Sequence, residues 1–321
     1  MAPSVTDSLE ANVSESDQQD TEFLHRKSVD ADAALAKLEK QIQQLEARVD
    51  QALADAPDDN STASPEKPDT VNVWGVPFSK LTLATTLYHI DRLIACREPG
   101  YFITANLNYN MLTRQHPRLS EVNDQASFIN CDGMPMVLWS KVMKQPLPER
   151  VAGSELIYAL SKWASIRGHR IYFLGGTPGI AQKAADTLAE RYPGLQVAGV
   201  HSPPFRPLSE EENREMVDQI RATKPDILYV AFGQPKGEFW MYDNVKALDV
   251  PACVQIGASF DFVAGGMARA PLLMQKLCLE WAYRMYQEPK RLVGRYFKNG
   301  LFLARAVCAD LAGRGFHRSA K

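Results

Sequence analysis

The sequence lacks the short glycine motifs that mark the commonest nucleotide-binding and ester-cleaving enzymes. None of its 321 residues forms GxxxxGK[ST], GxGxxG or GxSxG. These patterns shape the phosphate loop, the dinucleotide fold and the nucleophile elbow, respectively. Their absence counts against P-loop enzymes, standard dinucleotide dehydrogenases and α/β-hydrolases.

Cysteine is scarce, and no pattern of metal ligands is present. The five cysteines are scattered and form no CxxC pair, while His169 and His201 each stand alone. An odd, dispersed set fits a reducing compartment and neither a disulfide framework nor a zinc site. We therefore expect no metal centre.

Long apolar runs and an excess of positive charge are also missing. No apolar stretch approaches the length of a membrane-spanning helix, and the N-terminus has no signal-peptide pattern. Any membrane contact is therefore expected to be peripheral. A net charge of -2 argues against a surface built for nucleic acid.

The N-terminal residues divide into three segments before the main domain. Residues 1–27 have few large apolar side chains and are predicted to be disordered. Residues 28–56 carry a heptad seam that predicts a short coiled coil, for self-association or a partner helix. The alternative is a single amphipathic helix folded back on the body. Residues 57–70, rich in proline, are predicted to be a linker.

Residues 71–270 alternate short β-type runs with amphipathic helical segments. Predicted strands include Val71–Val76, Tyr101–Ala105, Ile171–Leu174 and Asp226–Phe232, with helices such as Gly153–Arg167 between them. This pattern predicts an α/β domain with a Rossmann-like, mostly parallel sheet and helices on both faces.

A glycine-rich turn follows the strand Ile171–Leu174. Gly175, Gly176 and Gly179 would let backbone N–H groups approach an anion, and Thr177 and Pro178 are predicted to begin the next helix. A phosphate is the ligand expected at such a helix start. The alternative is an ordinary tight turn.

Polar residues collect where the predicted strands end. Such residues are Thr104 and Asn106, Asp132, Gly175 and Gly176, Gly233 and Gln234, and Gly257, Ser259 and Asp261. The carboxyl ends of parallel strands share one edge, where ligands bind. Asp132 is the best candidate acid or base, because Gly133 permits close approach and Thr104 and Asn106 are expected on the neighbouring strand.

Residues 271–321 differ in composition from the domain that precedes them. Basic and aromatic residues recur together, whereas acidic residues after Pro289 are reduced to Asp310. This composition predicts a basic, amphipathic helical appendage that binds an anionic membrane surface. The alternative is a helical cap with solvated basic faces.

Fourteen ordered motifs between Val71 and Tyr296 resemble the WecG/TagA/CpsF glycosyltransferases (glycosyltransferase family 26). They are Thr104-Ala-Asn106, Asp132-Gly133, Glu149 to Gly153, Phe173 to Gly179, Tyr192-Pro-Gly194, Pro225 to Leu228, Gly233 to Glu238, Gly257, Phe260-Asp-Phe262, Gly265, Arg269-Ala-Pro271, Glu280 to Arg284, Glu288-Pro289 and Arg291.

The resemblance implies an inverting, metal-independent enzyme with no cofactor. It would move an N-acetylmannosamine-type sugar, another hexose or a uronate from a UDP-sugar to a polyprenyl-diphosphate-linked saccharide. The resemblance places such an enzyme in the cytoplasm, peripherally on the inner face of the bacterial plasma membrane. It makes Asp132 the base, with Thr104 and Asn106 positioning substrate and Arg150 holding an acceptor phosphate. The remaining residues that it implies in substrate binding are Gly175, Gly176, Gly179, Gly233, Gln234, Lys236, Glu238, Asp261, Arg284, Arg291 and Arg295.

The chain departs from the family pattern at Gly237, where the family usually has glutamine. Two other functions stay open. One is a non-catalytic scaffold of a polysaccharide assembly complex, with the coil as its interaction element. The other is a Rossmann-like oxidoreductase, although the sequence lacks the dinucleotide fingerprint.

Overall fold

The computed structural model describes residues 36–57, 63, 65–265 and 280–313. The predicted disorder of residues 1–27 lies outside these ranges, as do residues 271–279 and 314–321 of the predicted C-terminal appendage. The first helix, α1, covers residues 36–54. The strands are β1 (Thr70–Val73), β2 (Val76–Ser79), β3 (Tyr101–Ala105), β4 (Ile129–Cys131), β5 (Arg170–Gly175), β6 (Gln196–His201), β7 (Ile227–Ala231) and β8 (Ala252–Gln255).

Helices cover most of the chain between and after these strands. They are α2 (Leu83–Cys96), α3 (Leu107–Gln115), α4 (Arg118–Gln125), α5 (Met134–Val142), α6 (Gly153–Arg167), α7 (Ile180–Arg191), α8 (Glu210–Ala222), α9 (Lys236–Leu248), α10 (Ser259–Val263), α11 (Glu280–Gln287) and α12 (Pro289–Leu311). No helix within the described ranges is both long and apolar enough to cross a membrane.

The central sheet confirms the predicted fold class. Six strands pair in the order β4-β3-β8-β7-β5-β6, and every pair is parallel. Side chains alternate along the strands, so that Phe173 enters one apolar cluster and Leu174 the other. The sheet is therefore buried on both faces, as the continuous apolar runs require.

The predicted strand Val71–Val76 is wrong, because the chain reverses in the middle of it. β1 and β2 form an antiparallel hairpin, with Trp74 and Gly75 at its turn. Both turn residues have positive φ, 51° and 94°, which is the geometry of a tight hairpin with right-handed twist. The Trp74 side chain is fully buried.

The N-terminal helix packs against its own chain. Ile42, Leu45, Val49 and Ala52, from the predicted heptad seam, are buried in the same apolar cluster as α6 and α7. Glu39 and Glu46 hold both edges of the Arg191 guanidinium at 2.7 to 2.9 Å. The apolar seam that is predicted to pair in a coiled coil therefore packs against the protein's own core. The structure shows the alternative, a helix folded back on the body.

The C-terminal helix covers the opposite face of the sheet. Leu292, Phe302 and Ala306 of α12 are buried, the last two in the cluster that contains the hairpin. Near its end, the Asp310 carboxylate accepts hydrogen bonds from the indoles of Trp74 (3.0 Å) and Trp139 (2.9 Å). Three distant parts of the chain are therefore joined at one acceptor.

Candidate functional site

The centre of the site is the point where β3 and β4 end. The Asp132 N–H donates to the carbonyl of Ala105, and the Val151 N–H donates to Cys131, which brings the start of α6 against both strands. A Cβ added to Gly153 would lie 3.2 Å from Thr104 Oγ1 and 3.9 Å from Asp132 Oδ2. The predicted pair Thr104 and Asp132 is therefore brought together, beside a helix start whose dipole favours a carboxylate.

The hydroxyl of Thr104 is already engaged in the sheet. It is almost fully buried and donates to the carbonyl of Gln255, at the end of β8, over 3.1 Å. A hydroxyl keeps acceptor capacity after it donates one hydrogen bond. Thr104 can therefore accept a hydrogen bond from a substrate group near Asp132.

Asn106 caps the N-terminus of α3 at this edge of the sheet. It is the N-cap of α3, and its side-chain oxygen accepts the N–H of Tyr109 over 3.2 Å. Such a cap typically contributes about 1 kcal/mol to stability. Asn106 thus fixes the direction in which α3 leaves the sheet next to Thr104.

Arg150 brings positive charge close to Asp132. Its guanidinium donates to Glu155 over 3.0 Å, with both side chains about one fifth exposed. Arg150 is also near enough to oppose the rise that burial causes in the pKa of Cys131, to about 12. The Cys131 thiol therefore stays neutral at physiological pH, while Arg150 keeps an accessible positive face.

A second group of polar residues follows β7. The Gln234 side-chain oxygen accepts from Asn108 Nδ2 over 3.2 Å, which ties the start of α9 to α3. Glu238, one turn later, is fully buried, and neither carboxylate oxygen has a well-formed hydrogen bond among the described residues. Burial raises the pKa of Glu238 to about 8, opposed by its own backbone and by the nearby Gln234 amide. Glu238 therefore carries its proton at neutral pH.

Gly237 packs directly on a side chain from β8. A Cβ added there would lie 2.6 Å from both Cδ and Nε2 of Gln255. The Gln255 amide thus occupies the space that a side chain at position 237 would take. Gln255 is only 2% exposed, and neither atom of its amide has a hydrogen-bond partner in the described parts of the chain.

A cavity of about 570 Å³ opens at the carboxyl ends of β5, β6 and β7. Gly176, Phe232, Lys236 and Trp240 line it, and the Lys236 ammonium lies 5.7 Å from the centre of the Phe232 ring. The Trp240 indole donates to Asn213 over 2.7 Å, which holds the ring in place. The cavity thus combines aromatic walls with two basic side chains, Lys236 and Arg206, and two acidic ones, Glu210 and Asp243.

The glycine-rich turn differs from the prediction. The helix begins at Ile180 rather than at Pro178, and its N-cap is Gly179, with φ 83°. Gly176 donates its N–H to the Ala231 carbonyl over 3.2 Å, so this group is not available to an anion. The chain needs left-handed backbone at Gly175, Gly176 and Gly179, which delays the start of the helix by two residues.

The remaining predicted site residues lie farther along the chain. Gly233 has φ 76° and turns the chain from β7 into α9, and Asp261 is a half-buried residue of α10. Arg295 lies on an exposed part of α12, with its guanidinium 5.1 Å from the centre of the Tyr296 ring. The side chains of Arg284 and Arg291 are outside the described part of the structure.

A parallel sheet with polar residues converging on its carboxyl edge defines an α/β enzyme that binds its ligands in that crevice. The WecG/TagA/CpsF glycosyl transferase family matches residues 71–315, and the chain belongs to it. The protein is therefore a glycosyltransferase.

Curated relatives agree with this assignment. The chain is 30% identical over 241 residues to an N-acetylglucosaminyldiphosphoundecaprenol N-acetyl-beta-D-mannosaminyltransferase of Staphylococcus aureus (strain MW2), covering 74% of this chain and 92% of the relative. A protein of the same description from Bacillus spizizenii is 30% identical over 210 residues, covering 65% of this chain and 80% of the relative.

Proposed function

We propose that the protein transfers an N-acetylmannosamine-type sugar from a UDP-sugar to a saccharide linked to polyprenyl diphosphate, as a step in cell-surface polysaccharide synthesis. The observation that carries this proposal is the convergence of Asp132, Thr104 and the start of α6 at one point of the sheet edge. The names of the relatives support the lipid-linked acceptor and the mannosamine-type donor.

The chemistry needs a single displacement with inversion at the sugar. The acceptor hydroxyl oxygen forms a bond to the anomeric carbon, and the bond from that carbon to the diphosphate oxygen breaks, with its electron pair leaving on UDP. The acceptor proton passes to the Asp132 carboxylate, which is the role of a general base. Thr104 holds a neighbouring substrate group, and Arg150 offers charge to the acceptor diphosphate.

The cavity beside β7 suits the nucleotide. Phe232 and Trp240 present aromatic surface, and Lys236 can neutralise part of a diphosphate charge. β4 and β7 are three strand spacings apart, or about 14 Å at the usual ~4.8 Å spacing. A UDP-sugar extended along the edge from the cavity toward Asp132 therefore suits this arrangement. Arg295, Arg284 and Arg291 are proposed to add positive charge from the C-terminal segment.

The exposed face of α12 suits a peripheral contact with an anionic membrane. Val293, Phe297 and Leu301 recur at intervals of four and are all exposed. Exposed Lys290, Arg295, Lys298 and Arg305 flank this stripe. Apolar insertion and attraction to lipid headgroups act together on such a face. Membrane contact would bring the enzyme to its lipid-linked acceptor.

A product assay tests the proposal. The purified protein is incubated with a panel of UDP-sugars and a lipid-linked N-acetylglucosamine diphosphate, and products are identified by mass spectrometry. We expect transfer of one N-acetylhexosamine from UDP-N-acetylmannosamine, with release of UDP. Binding of the panel without any transfer would contradict the proposal and favour the scaffold.

A further inference from the structure

We propose that the side-chain amide of Gln255 binds a polar substituent, a hydroxyl or acetamido group, of the sugar being transferred, and so helps to determine which sugar is accepted. This inference rests on the proposed function. It names a residue that the sequence patterns did not indicate.

The first support is the free-energy cost of burying the Gln255 amide without hydrogen bonds. A buried amide without hydrogen bonds destabilises a protein by roughly 1–3 kcal/mol, so the large majority of buried side-chain polar atoms have partners. Both amide atoms of Gln255 lack one among the described residues, although the side chain is only 2% exposed. A ligand that supplies the missing partners would repay this cost when it binds.

The second support is the position of Gln255 in the sheet. β8 lies between β3, which carries Thr104, and β7, which leads to the nucleotide-sized cavity. The Gln255 carbonyl accepts the hydrogen bond of Thr104, so the residue borders the proposed reaction point directly. The sugar lies between nucleotide and acceptor in the proposed arrangement, which is the stretch of the edge that Gln255 occupies.

The third support is the space that Gly237 leaves. Position 237 is helical backbone at the start of α9, and its conformation does not itself require glycine. A Cβ there would nevertheless lie 2.6 Å from the Gln255 amide. The space beside α9 therefore holds one side chain, which can come from position 237 or from position 255 but not from both. An amide is neutral and offers both a donor and an acceptor, which suits a hydroxyl or acetamido group better than a phosphate.

The test compares Gln255→Met with the wild type in binding to UDP and to UDP-N-acetylmannosamine by calorimetry. Methionine keeps the length and removes the amide. We expect unchanged UDP affinity and a loss of UDP-sugar affinity of roughly 3- to 10-fold, the usual effect of one neutral hydrogen bond. The matched control is Gln182→Met on α7, where Gln182 bonds only to Asp186 in the described structure.

A relocated amide distinguishes binding from packing. In Gly237→Gln/Gln255→Ala the amide arises from α9 instead of β8, and we expect UDP-sugar affinity to recover at least in part relative to Gln255→Ala. Equal UDP-sugar affinity in the wild type and Gln255→Met would overturn the inference. If the wild type binds neither UDP nor the UDP-sugar, the proposed function itself fails, which is a separate result.

Discussion

Asp132 is the residue on which the proposed displacement depends most directly. Asp132→Asn keeps the shape of the side chain but cannot accept the acceptor proton, so we expect turnover to fall by roughly 10²- to 10⁴-fold. The thermal midpoint should stay close to that of the wild type. Transfer of labelled sugar to the lipid-linked acceptor measures the loss.

Asp124→Asn is the matched control for that substitution, because Asp124 is an exposed residue of α4. It makes the same chemical change away from the edge of the sheet and should keep full activity. Full activity in Asp132→Asn would remove Asp132 from the role of base.

Glu238 makes the stability of the fold depend on pH. Its pKa is about 8 in the folded protein and about 4.5 when exposed, so the folded state retains a proton that the unfolded chain releases. Its contribution to stability is complete below about pH 4.5 and is lost as the pH rises toward 8, at roughly 1.4 kcal/mol per pH unit.

Glu238→Gln removes this titration and should therefore gain stability relative to the wild type as the pH rises from 5 to 8. Urea unfolding at several pH values measures the difference, with Glu215→Gln on the exposed side of α8 as the control. Parallel pH profiles of the wild type and Glu238→Gln would show that the buried carboxyl does not hold its proton.

Strand ends made part of the site predictable at the level of single residues. Thr104 and Asp132 are predicted to be neighbours because parallel strands share an edge, and the structure places both beside Gly153. Gln255 was missed because, as the last residue of a buried strand, it has no sequence signal that distinguishes it from packing. Its close approach to Gly237 appears only when α9 is folded against β8.

At the scale of elements, α12 has a buried face and an exposed face, and the exposed face is the one proposed to contact a membrane. Phe297→Glu and Leu301→Glu leave the buried face intact, so the fold should persist while binding to anionic vesicles is lost. Acidic side chains oppose both apolar insertion and attraction to the headgroups. Sedimentation with vesicles containing phosphatidylglycerol, at low and high salt, measures the effect.

Ile166→Glu provides the matched control, because Ile166 is an exposed apolar residue of α6. We expect this variant to bind vesicles like the wild type. Unchanged sedimentation of Phe297→Glu and Leu301→Glu would refute the membrane contact. These substitutions alter only the exposed face of α12. Deleting the C-terminal segment would also remove the buried Phe302 and Ala306, so its effect on membrane binding could not be separated from a loss of folding.

Element boundaries were predictable where caps are strong. Ser209 and Glu212 have the spacing of a capping box in the sequence, the structure forms that box, and α8 begins directly after Ser209. The start of α7 was not predictable in the same way, because Thr177 looks like a cap but three left-handed glycines decide the path. The hairpin at Trp74 was missed since a tryptophan with positive φ is rare.

At the scale of the whole molecule, α1 is part of the folded body. Leu45 is buried against α6 and α7, so Leu45→Ala should lower the free energy of unfolding by about 2–5 kcal/mol. Denaturant unfolding measures this loss. Gln44→Ala, at an exposed position of the same helix, is the control and should have little effect.

The same variants distinguish packing from self-association. Because the seam of α1 is buried within the chain, Leu45→Ala should not change the sedimentation coefficient of the native protein. A shift from dimer to monomer in that variant would instead support the coiled coil. The sequence could not decide between these outcomes, since a heptad seam has the same pattern whether it meets another chain or its own.

The shared acceptor at Asp310 has a consequence for synthesis of the chain. Trp74 and Asp310 are 236 residues apart, and the hairpin core is complete only when both are present. At the usual rate of translation, roughly 5–20 residues per second, Asp310 is synthesised on the order of 10 to 50 s after Trp74. During that interval Trp74 lacks its hydrogen-bond acceptor and the cover of α12. Nascent chains stalled before residue 310 should therefore be the species that chaperones and proteases recognise.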